Sequence, residues 1–381
     1  MPINNPTVQQ VVRQPRLQIL LDGKPLPGAL SASWTQSSHY TPDVWSATFA
    51  LNDDPRFGPQ WWDNRDTPLT LDVQAGLIGV NGVVQWTSLG VGMVDEHQFS
   101  ADLTTVEVQG RDLSLLMLAQ PTAETFQNQT ASEIVTAIAG RHGLTGDVTA
   151  TQLPVQRYYE SDHTVTTHAS GGATTEWDLL VKLAQTEGFD LYMRGNTLHF
   201  HPTVDPASDP YAVRFDPMTA ERPEPQAGVR NLQMTRRFVL ARPVTVLVKS
   251  FHSKTGKAVT GKASFGNTSV DTSVGGQHGS RKVRPTRYVF VRPNLTQDQA
   301  DKMAQRLLDD IIRHERTIEW QEPGNTLLTP RHMVRLEGTG TGFDQVYYVE
   351  TVTRTVAFNQ GFTMSVRAKN NSPEAANASP D

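Results

Sequence analysis

The 381-residue sequence has no cysteine. Disulfide staples, thiolate metal sites and cysteine nucleophiles are therefore excluded, and stability must come from packing. No apolar run approaches the roughly 18 uncharged residues that a membrane helix needs, so no membrane insertion is expected. The opening stretch MPINNPTVQQVVRQP has no charged region followed by an apolar core, and does not read as a secretory signal. Also missing are HExxH, GxSxG, a GxxxxGK phosphate loop and GxGxxG.

What chemistry remains is sparse. His199 and His201 share one face of a strand, which makes them weak candidate metal ligands, but no third ligand is evident. Asp162, His163 and His168 lie near Ser170, a composition that nucleophilic catalysis can use, but nothing fixes their geometry. No enzyme activity, cofactor or metal is expected.

Hydrophobic residues make up 37% and charged residues 19%, which suits a folded chain of two or three domains. The net charge of −5 argues against general nucleic-acid binding. That charge is unevenly spread. Residues 1–110 hold 11 Asp/Glu against 5 Lys/Arg, whereas residues 230–292 hold 13 Lys/Arg against one acid, Asp271. Such asymmetry marks surfaces that meet an acidic partner or a neighbouring subunit, or else ordinary solvated faces. Arg236, Arg237, Arg281, Lys282 and Arg284 are the densest basic positions and hence candidate interface residues. Trp61 and Trp62, in a predicted loop between Pro59 and Pro68, either anchor an interface or tuck over the end of a sheet.

Periodicity supplies the architecture. Residues 17–21, 45–51, 69–73 and 104–108 alternate as short strands between Gly, Pro and Asp clusters. After a short predicted helix near 112–118 the period changes. Thr130-Ala131-Ser132-Glu133 is a capping box ahead of a helix stopped by Gly143, and a second helix runs from Thr175 to Gly188. Arg194-Gly195-Asn196 then joins two strands as a hairpin. The predicted plan is an N-terminal arm (1–15), a first β-barrel domain (16–110), an α/β insert (111–202), a Pro-rich connector (203–228), a second β-barrel domain (229–369) and a disordered tail (370–381). Within the second domain, 253–280 reads as a long mobile loop or extended hairpin arm, and 296–315 as a helix capped by Thr296. The fold class is mainly β with an α+β insert: two tube-like antiparallel β-barrel domains plus a small α/β domain.

Three segments, in this order, resemble the bacteriophage tail baseplate hub family, also called late control D proteins, which is related to the hub part of type VI secretion spike proteins. The first is Gly110-Arg111-Asp112-Leu113-Ser114, continuing through Glu124-Thr125-Phe126 and Thr130–Val135 to Arg141-His142-Gly143-Leu144. The second is Glu176-Trp177-Asp178-Leu179-Leu180 through Glu187-Gly188-Phe189 to Leu198-His199-Phe200. The third runs from the helix at Ala300 through Gly324 and Pro330 to Val334–Gly338 and Tyr347–Glu350.

The resemblance implies a homotrimeric ring that presents six similar barrels and joins a threefold spike to a sixfold tail tube. The implied partners are a spike protein, a tail tube or tube-initiator protein, a tape measure protein and the baseplate wedge. DNA would pass through the channel without specific binding. Because the sequence ends at Asp381, the spike is expected to be a separate protein. The implied setting is the virion tail baseplate, assembled in the bacterial cytoplasm. The alternatives are a tail-tip module that binds carbohydrate or a receptor, and a cell-wall hydrolase.

Overall fold

The alternating segments near the N-terminus form strands in the computed structural model. It describes residues 15–38, 40–78, 82–122, 125–127, 129–152, 164–166, 175–202, 210–216, 226–227, 229–237, 243–252, 256–265, 269–274, 277–282, 285–292, 295, 297–312, 316–358 and 360–370. Strands β1 (Pro15–Leu21), β2 (Ala29–Ser37), β3 (Val44–Ala50), β4 (Thr70–Ile78), β5 (Val84–Phe99) and β6 (Thr105–Asp112) pair antiparallel in the order β2-β3-β6-β5-β4-β1. Period-2 alternation sends Trp45, Ala47 and Phe49 of β3, Leu71 and Val73 of β4, and Val106 and Val108 of β6 into one core. The opposite face of β2, β3 and β6 carries Ser33, Thr35, Ser46, Glu107 and Gln109.

Glycines shape this sheet where aromatic rings lie on it. A Cβ on Gly90 would sit 2.0 Å from the Trp34 ring, and one on Gly92 would sit 2.1 Å from Trp45 Nε1. The two indoles stack at 6.2 Å with planes 8° apart. Gly110 closes the seat, since its Cβ would fall 1.8 Å from the Met93 carbonyl oxygen. Short helix α1 (Pro59–Asp63) carries Trp61 and Trp62.

The insert has its own core. Helix α2 (Ala131–Arg141) starts at the predicted capping box, with Thr130 accepting from the Glu133 backbone while Glu133 accepts from the Thr130 backbone N–H. Strand β7 (Thr145–Val148) follows it. Helix α3 (Glu176–Glu187) uses the same device through Thr175 and Asp178, and ends on Gly188 in the left-handed conformation. Strands β8 (Phe189–Arg194) and β9 (Thr197–Pro202) form the predicted hairpin, and β9 pairs parallel with β7. Ile134, Val135, Ile138, Leu179, Leu180, Leu198 and Phe200 fill the space between helices and sheet.

Two compact units emerge. The first holds Met1–Tyr211, Trp320–His332 and Val349–Val366; the second holds Ala212–Glu319, Met333–Tyr348 and Arg367–Asp381. In the second, β10 (Tyr211–Asp216) and β11 (Arg230–Arg236) precede β12 (Val244–His252), β13 (Lys257–Phe265), β14 (Ser269–Val274), β15 (Gln277–Lys282) and β16 (Thr286–Val291). Strand β12 pairs antiparallel with β13 and parallel with β16. Helix α4 (Gln297–Ile312) lays Ala300, Ala304 and Leu308 on Val244, Val246, Val248 and Ala263. Gly261 of β13 lets the helix approach, because a Cβ there would lie 2.1 Å from the Ala300 carbonyl oxygen.

Strands β17 (Arg316–Pro323), β18 (Met333–Glu337), β19 (Val346–Ala357) and β20 (Gly361–Asn370) complete the chain. Strand β18 pairs with Val346–Tyr348 in the second unit.

Three expectations need correction. The contiguous second domain at 229–369 is not how the packing divides. Thr351–Ala357 of β19 pairs with Ser31–Ser37 of β2, and Val356 and Phe362 enter the first core. Periodicity marks strands but cannot name a partner more than 300 residues away. Of the two readings of 253–280, the loop is the one to correct: the segment holds most of β13 together with β14 and β15, which pair antiparallel with each other. In β13 the inward positions include Gly261 and Ala263, too small to register as an apolar stripe. The connector 203–228 contains β10, whose Tyr211 and Val213 are buried. The chain is mainly β, with a small α/β insert as expected. The arm (1–14), Thr296, Asp162, His163, His168, Ser170 and the tail (371–381) lie outside the described residues.

Candidate assembly interface

The family-like motif residues turn out to be joints. Asp112 of Gly110-Arg111-Asp112-Leu113-Ser114 is buried at the end of β6. Its carboxylate accepts from the Asp43 backbone N–H at 3.0 Å and from the Ser114 N–H at 3.0 Å, and also from the Ser114 hydroxyl. Asp43 in turn accepts from Trp34 Nε1 and from the Ser37 N–H, both at 3.2 Å. Burial pushes both acids up, Asp43 to about 7, with the Asp112 charge adding to it, and Asp112 to about 6. Tyr40 continues the joint: its hydroxyl donates to the Phe189 carbonyl at 2.9 Å, and its own carbonyl accepts from Trp177 Nε1 at 3.0 Å.

Glu176 plays a similar part inside the insert. Its buried carboxylate meets Arg141 Nη1 at 2.6 Å and His142 Nε2 at 2.5 Å, so the start of α3 holds the end of α2. Arg354 does the same for the segment after β17. Its Nε donates to the Asn325 carbonyl at 2.7 Å, Nη1 donates to Gln36 Oε1 at 2.7 Å, and Nη2 donates to the Leu328 carbonyl. Burial pulls this guanidinium down to about 10, opposed by Asp43 and Glu322. Nothing in the local sequence pattern singles out Arg354.

His199 and His201 stand on β9 as expected, but their neighbours already engage them. His199 Nδ1 lies 2.7 Å from Asp147 Oδ2, and Tyr192 stacks on its ring at 4.6 Å. His201 Nε2 lies 3.1 Å from the Tyr192 hydroxyl. Among the described residues no group of three His, Asp or Glu side chains is arranged to hold a metal ion. No described helix is long and apolar enough to cross a membrane.

The tryptophan pair lies on a helix rather than in a loop, and it is not freely exposed. Trp62 is 3% exposed, packed 5.2 Å from Phe49 in the first core. Trp61 is half-buried between Phe57 at 4.9 Å and the Arg65 guanidinium at 4.1 Å. Of the two readings of these residues, tucking over the sheet is the one realised for Trp62. Arg236 and Arg237 are exposed at the end of β11, where almost every residue is exposed. Arg281 and Lys282 stand on β15 without described side chains, and Arg284 lies outside the described residues.

Two surfaces stand out. In the first unit, an open groove of about 410 Å³ crosses β2, β3, β6 and β5, lined among others by Ser33, Thr35, Val44, Asp95, Glu96 and Arg111. Arg111 Nε pairs with Asp95 at 2.7 Å, and Gln109 Nε2 donates to Glu96 at 3.0 Å. Among the described residues of the second unit, β12, β13 and β16 have one face under α4, while the other is buried at Thr245 and exposed towards Lys249 and Phe251. The register places Leu247, Lys249 and Phe251 of β12 beside Val289 and Val291 of β16 and Lys262 of β13 on the open face. Phe251, Val289 and Val291 are 58%, 51% and 69% exposed, which is unusual for a sheet face meant only to meet water.

Comparison with known families settles the wider identity. The family model for the phage tail baseplate hub (GPD) matches residues 63–360. The chain belongs to the phage tail baseplate hub family. No curated protein sequence matches it.

Solved structures agree on the fold. A tail protein from Neisseria meningitidis MC58 superposes with a TM-score of 0.66 at 12% identity, over 95% of this chain and 99% of that one. The 43 kDa tail protein of prophage MuSo2 from Shewanella oneidensis gives 0.61 at 15% identity, over 94% and 99%. An E. coli protein described as a component of the type VI secretion system gives 0.50 at 13% identity, over 93% and 77%.

Proposed function

We propose that this chain is the structural hub of a tail baseplate, closing as a homotrimeric ring that joins a threefold spike to a sixfold tail tube. The observation that carries this reading is the family match together with two compact units, each rich in β-strands. Two such units per chain let three chains offer six related surfaces, a simple way to bridge the two symmetries. Each unit would act as a tube-like barrel, leaving a channel through which DNA passes without specific binding. The partners are the spike, the tube or its initiator, and around them the tape measure and wedge proteins. The chain would assemble in the host cytoplasm and remain in the virion. No reaction is assigned to it: the clusters around Asp43 and Asp112, Glu176 and Arg354 make their hydrogen bonds within the fold. The carbohydrate-module alternative needed Trp61 and Trp62 open in a groove, and Trp62 is buried.

Electron microscopy of intact particles labelled with antibody against this chain tests the reading. Label at the distal end of the tube, with three copies per tail by quantitative mass spectrometry, is expected. Label along the tail shaft or on fibres, or a copy number not divisible by three, would overturn it.

A further inference from the structure

Among the described residues, nothing covers the β12, β13 and β16 face around Phe251, Val289 and Val291, and its chemistry narrows what can cover it. The three strands contain no Asp or Glu, and their open face carries Lys249, Lys262 and Arg287. Basic groups therefore surround an exposed apolar centre of Phe251, Val289 and Val291. A partner must supply carboxylates beside a small apolar contact. The groove of the first unit offers that combination: Val44 is 47% exposed at its wall, next to Asp95, Glu96 and the Ser/Thr-lined strands.

We infer that the open face of β12–β13–β16 docks into the β2–β3–β6–β5 groove of a second copy of this chain. The contact is head-to-tail, one surface meeting a different surface, which is the geometry that propagates around a closed ring. This rests on the ring reading above and adds which faces make it. At about 3.3 Å per residue and about 4.8 Å between strands, six residues on three strands cover about 20 by 14 Å. That is smaller than the roughly 800 Å² per partner of a standard interface, so the patch is the apolar centre of a larger contact, with charges steering it. Arg111 lies in the groove, but its pairing with Asp95 leaves Glu96 as the carboxylate for an incoming cation.

Charge exchange tests the pairing. Light scattering and native mass spectrometry would compare the full chain with Lys249→Glu/Arg287→Glu, with Glu96→Lys, and with all three changes together. All altered side chains are exposed, and circular dichroism melting checks that the units stay folded. The expected result is an oligomer for the parent, a dissociation constant raised at least roughly tenfold in each partial variant, and recovery in the combined one. An unchanged dissociation constant for Lys249→Glu/Arg287→Glu overturns the assignment of this face. Loss in the partial variants without recovery overturns its pairing with the groove. A parent that stays monomeric at every soluble concentration overturns the contact altogether. The ring reading stands or falls separately, on the copy number and position of label in particles.

Discussion

Replacing Gly90 by Ala adds one methyl group, and the structure indicates a large cost. Gly90 does not adopt a positive φ, so alanine suits the backbone and the effect is steric. The new Cβ would lie 2.0 and 2.3 Å from ring atoms of Trp34, against an ordinary contact of at least 3.4 Å. The ring has nowhere to retreat: it is 1% exposed, stacked on Trp45, and tied through Nε1 to Asp43 at 3.2 Å. Overpacking of this kind costs about 1–3 kcal/mol, and leaving the Asp43 carboxylate short of a donor adds about 1–3 kcal/mol. A loss near 4 kcal/mol follows, a large share of the roughly 5–15 kcal/mol that holds a domain folded. Urea unfolding followed by tryptophan fluorescence would measure it in two backgrounds, the parent and Trp34→Leu. With the indole gone, Gly90→Ala should cost almost nothing, so the two changes should be strongly non-additive. A Gly90→Ala cost below about 0.5 kcal/mol, or the same cost in both backgrounds, would refute the glycine-seat argument.

Other changes probe the joints and surfaces. Asp43 and Asp112 hold protons that the unfolded chain releases near pH 4, since their folded values are raised to about 7 and about 6. Their contribution is therefore fully present in acid and is lost as pH rises from about 4 towards 7, at up to about 1.4 kcal/mol per pH unit per group. Asp43→Asn should flatten that slope in melting curves taken across the range; a variant with the parent's slope would contradict the assignment. Glu176→Gln should cost about 2 kcal/mol, less than a fully buried pair because Arg141 remains partly in water. It should raise hydrogen exchange at the α2 C-terminus, and unchanged exchange there would contradict the clamp. Arg236→Glu with Arg237→Glu should leave the melting temperature unchanged and abolish ring or tube assembly. Normal assembly of that variant would remove these arginines from the interface.

The sequence exposed those parts of the fold whose cause is local. The capping box at Thr130, the helix start at Thr175, the Gly195 turn and the alternation of Trp45–Phe49 each act over a few residues, and each forms where it was expected. Long-range partners were not legible. Nothing near Thr351 says that it faces Ser37, and Ala258–Ser264 looks like a loop until α4 is seen resting on Gly261. The seat of Trp34 and Trp45 was not legible, because nothing local separates Gly90 and Gly92, where two rings lie, from any other glycine. Basic residues were correctly found concentrated in one region. The surface they share with Phe251, Val289 and Val291 appeared only once strand register assigned each residue to a face.

The motif residues and the proposed interface are different parts of the molecule, and physics explains the separation. Gly110, Asp112, Glu176 and Trp177 carry the family resemblance because each holds a geometry that few residues can replace. A glycine meets a carbonyl at contact distance, a carboxylate accepts backbone donors, and an indole reaches across to a loop carbonyl. A docking face such as β12–β13–β16 needs only flatness, apolar area and charge of one sign, which many sequences supply. A motif search of a hub protein therefore finds the joints and passes over the contacts. Charge bias read strand by strand, on the face the register leaves open, is the observation that locates those contacts.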